Sequence, residues 1–435
     1  MSKQEKKGLV PERRFPEFRD AGEWQVTKLK RLAKRTTLRN ADCCVTRVLT
    51  NSAEFGVVDQ RDFFDKDIAN QGNLDGYYVV EQGDYVYNPR VSTLAPVGPI
   101  SKNKIGTGVM SPLYTVFRCD NSNNEFFEHY FKTAQWHTYM RFVSNSGARH
   151  DRMAITADDF MDMPLPAPKP EEQQKIADCL TSIDELITAQ TQKLDALKTH
   201  KKGMMQQLFP AEGETVPRLR FPEFRDKGEW RTSIIKDIAS VVTDYVANGS
   251  FQSLRENVEV FDSINFAFYV RLTDLRLGLG HKEQKYVNEA SYRFLEKSAL
   301  FGGELLMANI GANVGEVWQM PIMEMPATLA PNMIMAKFKS SFYTKYVYYF
   351  LNSDIGKDNI SKAIGGGAHP KINKTDLKQV VVNFPNTLKE QQKISDCLAS
   401  VDELITAQAQ KLDALKTHKK GLMQQLFPDM NEVYA

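Results

Sequence analysis

The sequence predicts an α+β chain built twice. Two globular mixed α/β heads are joined by two long helices that pair as an antiparallel coiled coil, a pseudo-twofold internal repeat. Three observations predict it. An opening segment, RFPEFRDAGEW at residues 14–24, returns as RFPEFRDKGEW at 220–230. A tail at 172–210 returns at 390–428 with 34 of 39 positions identical. Between these blocks the two middles hardly match, so one fold carries two different heads. The tail repeats at a larger offset than the opening, so the second unit is the longer one, and its extra length lies between the matching blocks. The repeat divides the chain into residues 1–170 and 214–388 as heads, with 171–213 and 389–435 as helical segments.

Each head opens on the repeated segment, followed by Leu29 and Leu32, or by Ile235 and Ile238. The stretches 77–88, 111–118, 266–275 and 330–338 are β-rich and punctuated by Gly and Pro. Weaker echoes relate the heads: GDYVYNPRVSTLAPVG at 83–98 to GELLMANIGANVG at 303–315, and SGARHD at 146–151 to GGAHPK at 366–371. Helical stretches follow at 125–142 and 342–354, and a short strand at 161–166 or 380–385 leads into each tail.

The tails carry a 4-3-4-3 stripe. The first runs through Ile176, Leu180, Ile183, Ile187, Gln190, Leu194, Leu197, Lys201, Met204 and Leu208. The second runs through Ile394, Leu398, Val401, Ile405, Gln408, Leu412, Leu415, Lys419, Leu422 and Leu426. This is a heptad seam with two polar interruptions, which favour one pairing register. Pro170 suits a first helical turn, Glu171 and Glu172 suit the positive end of the dipole, and Pro210 and Pro428 end the helices. Each rod of about 38 residues is about 57 Å long at about 1.5 Å per residue.

Composition bounds the rest. The 435 residues exceed one ordinary core. There is no run of 18 apolar residues and no apolar stretch behind the charged N-terminal residues, which argues against a membrane span or a signal peptide. Five cysteines without a CxxC pair suggest free thiols in a reducing cytoplasm. A net charge of +2 places any basic face locally or on a partner.

Catalytic patterns are scarce. Asn88-Pro89-Arg90 lacks the second proline and the aromatic of an amino-methyltransferase motif. Gly365-Gly366-Gly367 has no GK[ST] at P-loop spacing, and the seven histidines form no HExxH. No metal site is expected. Basic residues do gather beside glycines late in each head: Arg149, His150 and Arg152 in the first; Lys362, His369, Lys371 and Lys374 in the second. With Arg90 on the first hairpin, these are the candidate DNA contacts, because flexible basic loops on a rigid head can meet phosphates and base edges. The hairpins at 83–98 and 303–315 are the alternative reading surface.

The layout resembles the specificity (S) subunit of type I restriction-modification enzymes. RFPEF…GEW resembles that family's unit opening, GELLMANIGANVG its G-D/E-hydrophobic…G…G element, and EQQKI…LTSIDELI…QKLDALK…KKGMMQQLFP its helical region. The resemblance implies two target recognition domains, each reading half of an interrupted sequence in double-stranded DNA. It implies that the helices set the spacing and dock two methyltransferase (M) subunits, with two restriction (R) subunits joining later. S-adenosylmethionine would sit on the M subunits, and ATP and Mg on the R subunits. This chain would carry no cofactor and no catalysis. The alternative is a coiled-coil scaffold tethering two protein-binding domains without nucleic acid.

Overall fold

The computed structural model describes residues 9–63, 74–120, 125–144 and 151–434. The chain forms two compact units: residues 1–191 with 410–435, and residues 192–409. Each unit therefore holds one head, the N-terminal part of one long helix and the C-terminal part of the other. The helices run Pro170–Leu208 and Leu388–Leu426, 39 residues each.

Within each unit the two helical parts are antiparallel. In the first, Ile176 and Leu180 share a core with Leu426 and Phe427, while further along Asp184 pairs with Lys419. In the second, Ile394 and Leu398 share a core with Leu208 and Phe209, while Asp402 pairs with Lys201 at 2.6 Å. Numbers rise on one helix as they fall on the other. The seam lies inward: Ile176, Leu180, Leu194, Ile394, Leu398, Val401 and Leu412 are buried, and Ile183, Ile187, Leu197, Ile405 and Leu415 are half-buried. Both lysine interruptions of the heptad are thus ion-paired. The two pairs are repeat images of each other, since Asp184 and Asp402 hold the same place in the duplicated tail, as do Lys201 and Lys419.

The duplicated opening is a joint. Arg14 lies against Glu172 through both carboxylate oxygens, at 2.6 and 2.7 Å, and donates to the Gly22 carbonyl at 2.6 Å. Arg220 repeats this on Glu390, at 2.7 and 2.9 Å, and on the Gly228 carbonyl at 2.6 Å. Gly22 and Gly228 have φ of +77° and +75°, a conformation that glycine adopts without the Cβ clash. Phe15 and Phe221 lie under Lys175 and Lys393. These lysines also pair with Glu17 and Glu223. The arginine, first phenylalanine and glutamate of RFPEF are thereby accounted for by the first turns of a helix, and its proline starts a short 3-10 turn. The residue before each opening also reaches a helix C-terminus: Arg13 donates its N–H to the Gln425 carbonyl and Leu219 to Gln207, both at 2.9 Å.

Each head hangs from a two-stranded ribbon that closes at this joint. Gln25–Lys28 pairs with Pro164–Ala167 in the first unit, and Arg231–Ile234 with Val381–Phe384 in the second. Beyond the ribbon the heads share a four-stranded antiparallel sheet. Its order is Ala33–Arg35, Thr115–Cys119, Tyr85–Tyr87, Ile100–Lys102 in the first and Ala239–Asp244, Met333–Phe338, Leu305–Ala308, Val317–Gln319 in the second. The acidic residue of the G-D/E element caps a turn and pairs across this sheet. Asp84 accepts from the Glu81 N–H and from Arg118, and Glu304 accepts from the Phe301 and Gly302 N–H groups and faces Lys337.

Outside this shared core the heads diverge. The described part of the first adds two-stranded ribbons, Leu49–Ser52 with Gly56–Asp59 and Tyr78–Val80 with Gly108–Met110. The second adds a five-stranded mixed sheet with its own apolar clusters.

Two local expectations change. The β-rich stretch 266–275 is a strand only over Ala267–Val270. It then turns into the helix Leu272–Leu277, because the Asp274 carboxylate accepts the Arg271 N–H at 2.7 Å and nucleates the turn. The helical stretch 125–142 is two helices, Phe126–Phe131 and His137–Val143. The Thr133 hydroxyl and the Trp136 indole take the carbonyls of Tyr130 and Phe131 and end the first one.

Candidate nucleic-acid interface

The hairpin and the late basic loop meet at one place in each head. In the first, Arg90 and Arg152 form an isolated antiparallel bridge. The Val91 N–H donates to the Asp151 carbonyl at 3.0 Å, and the Met153 N–H to the Pro89 carbonyl at 2.9 Å. In the second, Ile310 and Lys371 form the equivalent bridge. There the Gly311 N–H donates to Pro370 at 3.2 Å, and the Ile372 N–H to Asn309 at 3.0 Å. The hydrogen bonds flank the bridged residues in both cases. These are therefore non-hydrogen-bonded pairs, the type in which opposed side chains stand closest and on one face.

This geometry sets the correspondence between heads. Arg90 matches Ile310, and Arg152 matches Lys371. The late loops then align one position away from the register that their glycines suggest, which sets His150 opposite His369 in sequence. Lys371 is pinned twice, since Gly365 and Lys371 also exchange backbone hydrogen bonds at 2.9 and 3.0 Å. The hairpin tip and the loop end are therefore held by backbone, leaving their side chains to vary.

The predicted residues divide by what their side chains touch. Arg149 and His150 lie outside the described residues. Arg90, His369 and Lys371 are exposed, and none has a side-chain hydrogen bond or ion pair among the described residues. Arg152 is half-buried and lies 3.7 Å from Asp151. Lys362 faces Glu212 at 2.9 Å and Asp358 at 2.7 Å, and these carboxylates raise its pKa. Lys374 bonds Asp244 at 2.9 Å inside its head. Lys362 and Lys374 thus already have anionic partners, whereas Arg90, His369 and Lys371 have none among the described residues. Ile310, 46 % exposed, has no place in a search for basic residues. The alignment of the two hairpins, with Gly83 on Gly303, was the signal that could have found it.

Among the described residues no group of three or more His, Cys, Asp or Glu is placed to hold a metal ion, and no helix is long and apolar enough to cross a membrane. All five cysteines are free. Burial pushes the Cys119 thiol up to about 12.

The chain matches the family profile of the Type I restriction modification DNA specificity domain over residues 23–199 and again over 227–417. It belongs to that family. Each match takes in one head and most of the long helix behind it, so the family's unit is the repeat read from the sequence.

Two specificity subunits of Methanocaldococcus jannaschii are similar to this member. The MjaVIII type I restriction enzyme specificity subunit is 24 % identical over 274 residues, 61 % of each chain. The putative MjaX specificity subunit is 23 % identical over 295 residues, 63 % of this chain and 60 % of the relative. The match thus spans about three fifths of the length of these curated relatives.

Two solved structures share the fold. The S subunit of a type I restriction-modification system from M. genitalium superposes with a TM-score of 0.56 at 12 % identity, covering 97 % of this chain and all of that one. A chain from a type I R-M system, solved to describe complex assembly and conformational transition, gives 0.55 at 16 % identity, covering 93 % and 97 %.

Proposed function

We propose that this chain is the sequence-reading subunit of a type I restriction-modification complex. Each head reads one part of an interrupted target in double-stranded DNA. The observation that carries the reading is the contrast between joints and heads. The same Arg–Glu joint and ribbon attach two heads that differ in sheets, insertions and exposed tip residues. A chain that attaches unlike readers in the same way is suited to recognising two unlike half-sites.

The long helices keep the half-sites at a fixed separation and dock two methyltransferase subunits, and two restriction subunits join that assembly. S-adenosylmethionine belongs to the former, ATP and Mg to the latter. The chain contributes recognition without catalysis and works in the cytoplasm, where the DNA is.

The test is a genome-wide map of methyladenine in a strain carrying this chain with its methyltransferase. The expected outcome is one interrupted two-part motif. Replacing residues 25–169 with the corresponding head of a related subunit should change one part and spare the other. Inserting a short helical segment within 188–193 should lengthen the gap and keep both parts. Methylation without a two-part motif would sink the reading, as would methyl transfer to DNA by the purified chain alone.

A further inference from the structure

We propose that the cross-strand pair Arg90–Arg152 in the first head, and its counterpart Ile310–Lys371 in the second, is where each head reads its half-site. This rests on the DNA-recognition reading above and names the residues that carry it. The position that is basic in both heads, Arg152 or Lys371, holds a phosphate. The position that differs, Arg90 or Ile310, reads a base: a guanine in the first half-site and a thymine methyl in the second.

Three observations support the assignment. The bridges are equivalent, with the same flanking hydrogen bonds, so both heads deliver the two side chains from the same backbone. The first head sets two arginines directly opposite each other, an arrangement that like-charge repulsion disfavours and that a phosphate held at Arg152 would relieve. Asp151, 3.7 Å from Arg152, offsets one of those charges and leaves the Arg90 guanidinium exposed and without a partner among the described residues. Third, the second head keeps one cation and replaces the other with a half-exposed isoleucine. A side chain that only held phosphate would be basic in both heads. Loss of charge at one position, on an unchanged backbone, is what a change of base requires.

The chemistry follows. The arginine fork presents two parallel donors that match O6 and N7 of guanine. Isoleucine offers no donor and packs on the one methyl group in the major groove, that of thymine. Arginine or lysine on a phosphate adds affinity without sequence preference and makes binding salt-dependent.

The experiment is selection from a pool of random-sequence duplexes by the full chain in complex with its methyltransferase subunits. The parent should enrich an interrupted two-part sequence. Arg90→Ile should lose a guanine preference at one position of one part, by about 5- to 140-fold, with the other part unchanged. Ile310→Arg should gain a guanine in the other part. Arg90→Lys, which keeps the charge and loses the planar fork, should bind the pool as the parent does yet weaken the same guanine preference. Arg152→Gln and Lys371→Gln should weaken binding to all sequences alike and reduce the slope of log K against log salt by about one each. If the parent enriches its two-part sequence and Arg90→Ile, Arg90→Lys and Ile310→Arg all enrich that same sequence, the base-reading assignment is overturned while the recognition reading stands. An unchanged salt slope in both glutamine variants overturns the phosphate assignment. A parent that enriches nothing overturns the recognition reading and this inference together.

Discussion

The joint of the first unit and the joint of the second are built from the same letters and differ in a few atoms. Both close an arginine onto a helix-opening glutamate, with side chains at most 7 % exposed. In the second, the Trp230 indole N–H also reaches Glu390, at 3.3 Å; in the first, the buried Trp24 N–H has no partner among the described residues. Further along, the heads meet the repeated Asp–Lys seam pair with different side chains. The first uses His129, on the Thr181 hydroxyl at 3.1 Å and 4.0 Å from Asp184. The second uses Tyr349, whose hydroxyl donates to Asp402 at 2.8 Å and whose ring lies under Lys201. The helix face is thus a fixed surface to which each head has fitted its own residues. Three of the differences between the two helix copies fall at that boundary. Ala177 packs in the first core where the second has Ser395, Ala399 packs in the second where the first has Thr181, and Met204 and Leu422 each border the core of the head they face.

The largest effect should come from the shared joint. Glu390→Ala leaves the buried Arg220 charge without its carboxylate, with only the Gly228 carbonyl still accepting from it, and should cost about 3–5 kcal/mol. Glu172→Ala should fall in the same range but about 1 kcal/mol lower, because no indole donor is lost with it. Denaturant midpoints of the full chain, with amide hydrogen exchange to separate the units, would check the order. Equal costs would remove the distinction between the joints. Leu194→Asp and Leu412→Asp, both at buried seam positions, should also cost several kcal/mol by burying an unpaired charge.

Acid should separate the units next. Burial, with the Lys132 and Lys419 charges behind it, lowers the His129 pKa from 6.5 to about 4. The unfolded chain therefore takes a proton near pH 6.5 that the folded one refuses until near pH 4. This contribution to stability is fully present above about pH 6.5 and is lost as pH falls towards 4, by up to about 3 kcal/mol. His137, lowered to about 4 by burial and Arg141, acts in the same window. Tyr349, at the matching place in the second unit, is shifted upward and takes up no proton there. Hydrogen exchange at pH 7 and pH 5 should show the first head loosening ahead of the second, and His129→Gln should reduce the difference.

Much of this was legible in the sequence because repetition exposes constraint. The helix bounds and the opening motif fall at or close to their expected places, since a heptad and a duplicated block are local signals. The bridge between Arg90 and Arg152 was not, because it joins stretches far apart in the chain through backbone hydrogen bonds that any side chain permits. The same distance in sequence hides the pairing of Arg14 with Glu172. Repetition marked both as constrained without saying that each was the other's partner. Residues 272–275 misled because Leu272 and Leu275 suit a strand or a helix, and only the Arg271–Asp274 cap decides between them.

The smallest effect tests the comparison most directly. Trp24→Phe removes an indole N–H that is buried without a partner among the described residues, so the lost ring volume is partly offset by relief of an unsatisfied donor. Trp230→Phe loses the same volume and a hydrogen bond to a buried carboxylate as well. The substitution is chemically identical and the sites are 4 % exposed in both units. The cost should therefore be greater in the second unit by about 1–2 kcal/mol, the low end for one hydrogen bond to a charged group, because the contact to Glu390 is long at 3.3 Å. Denaturant titration of the two single variants and the double variant measures this difference. Equal costs would mean that the contact between Trp230 and Glu390 contributes nothing, and that the two joints are energetically one.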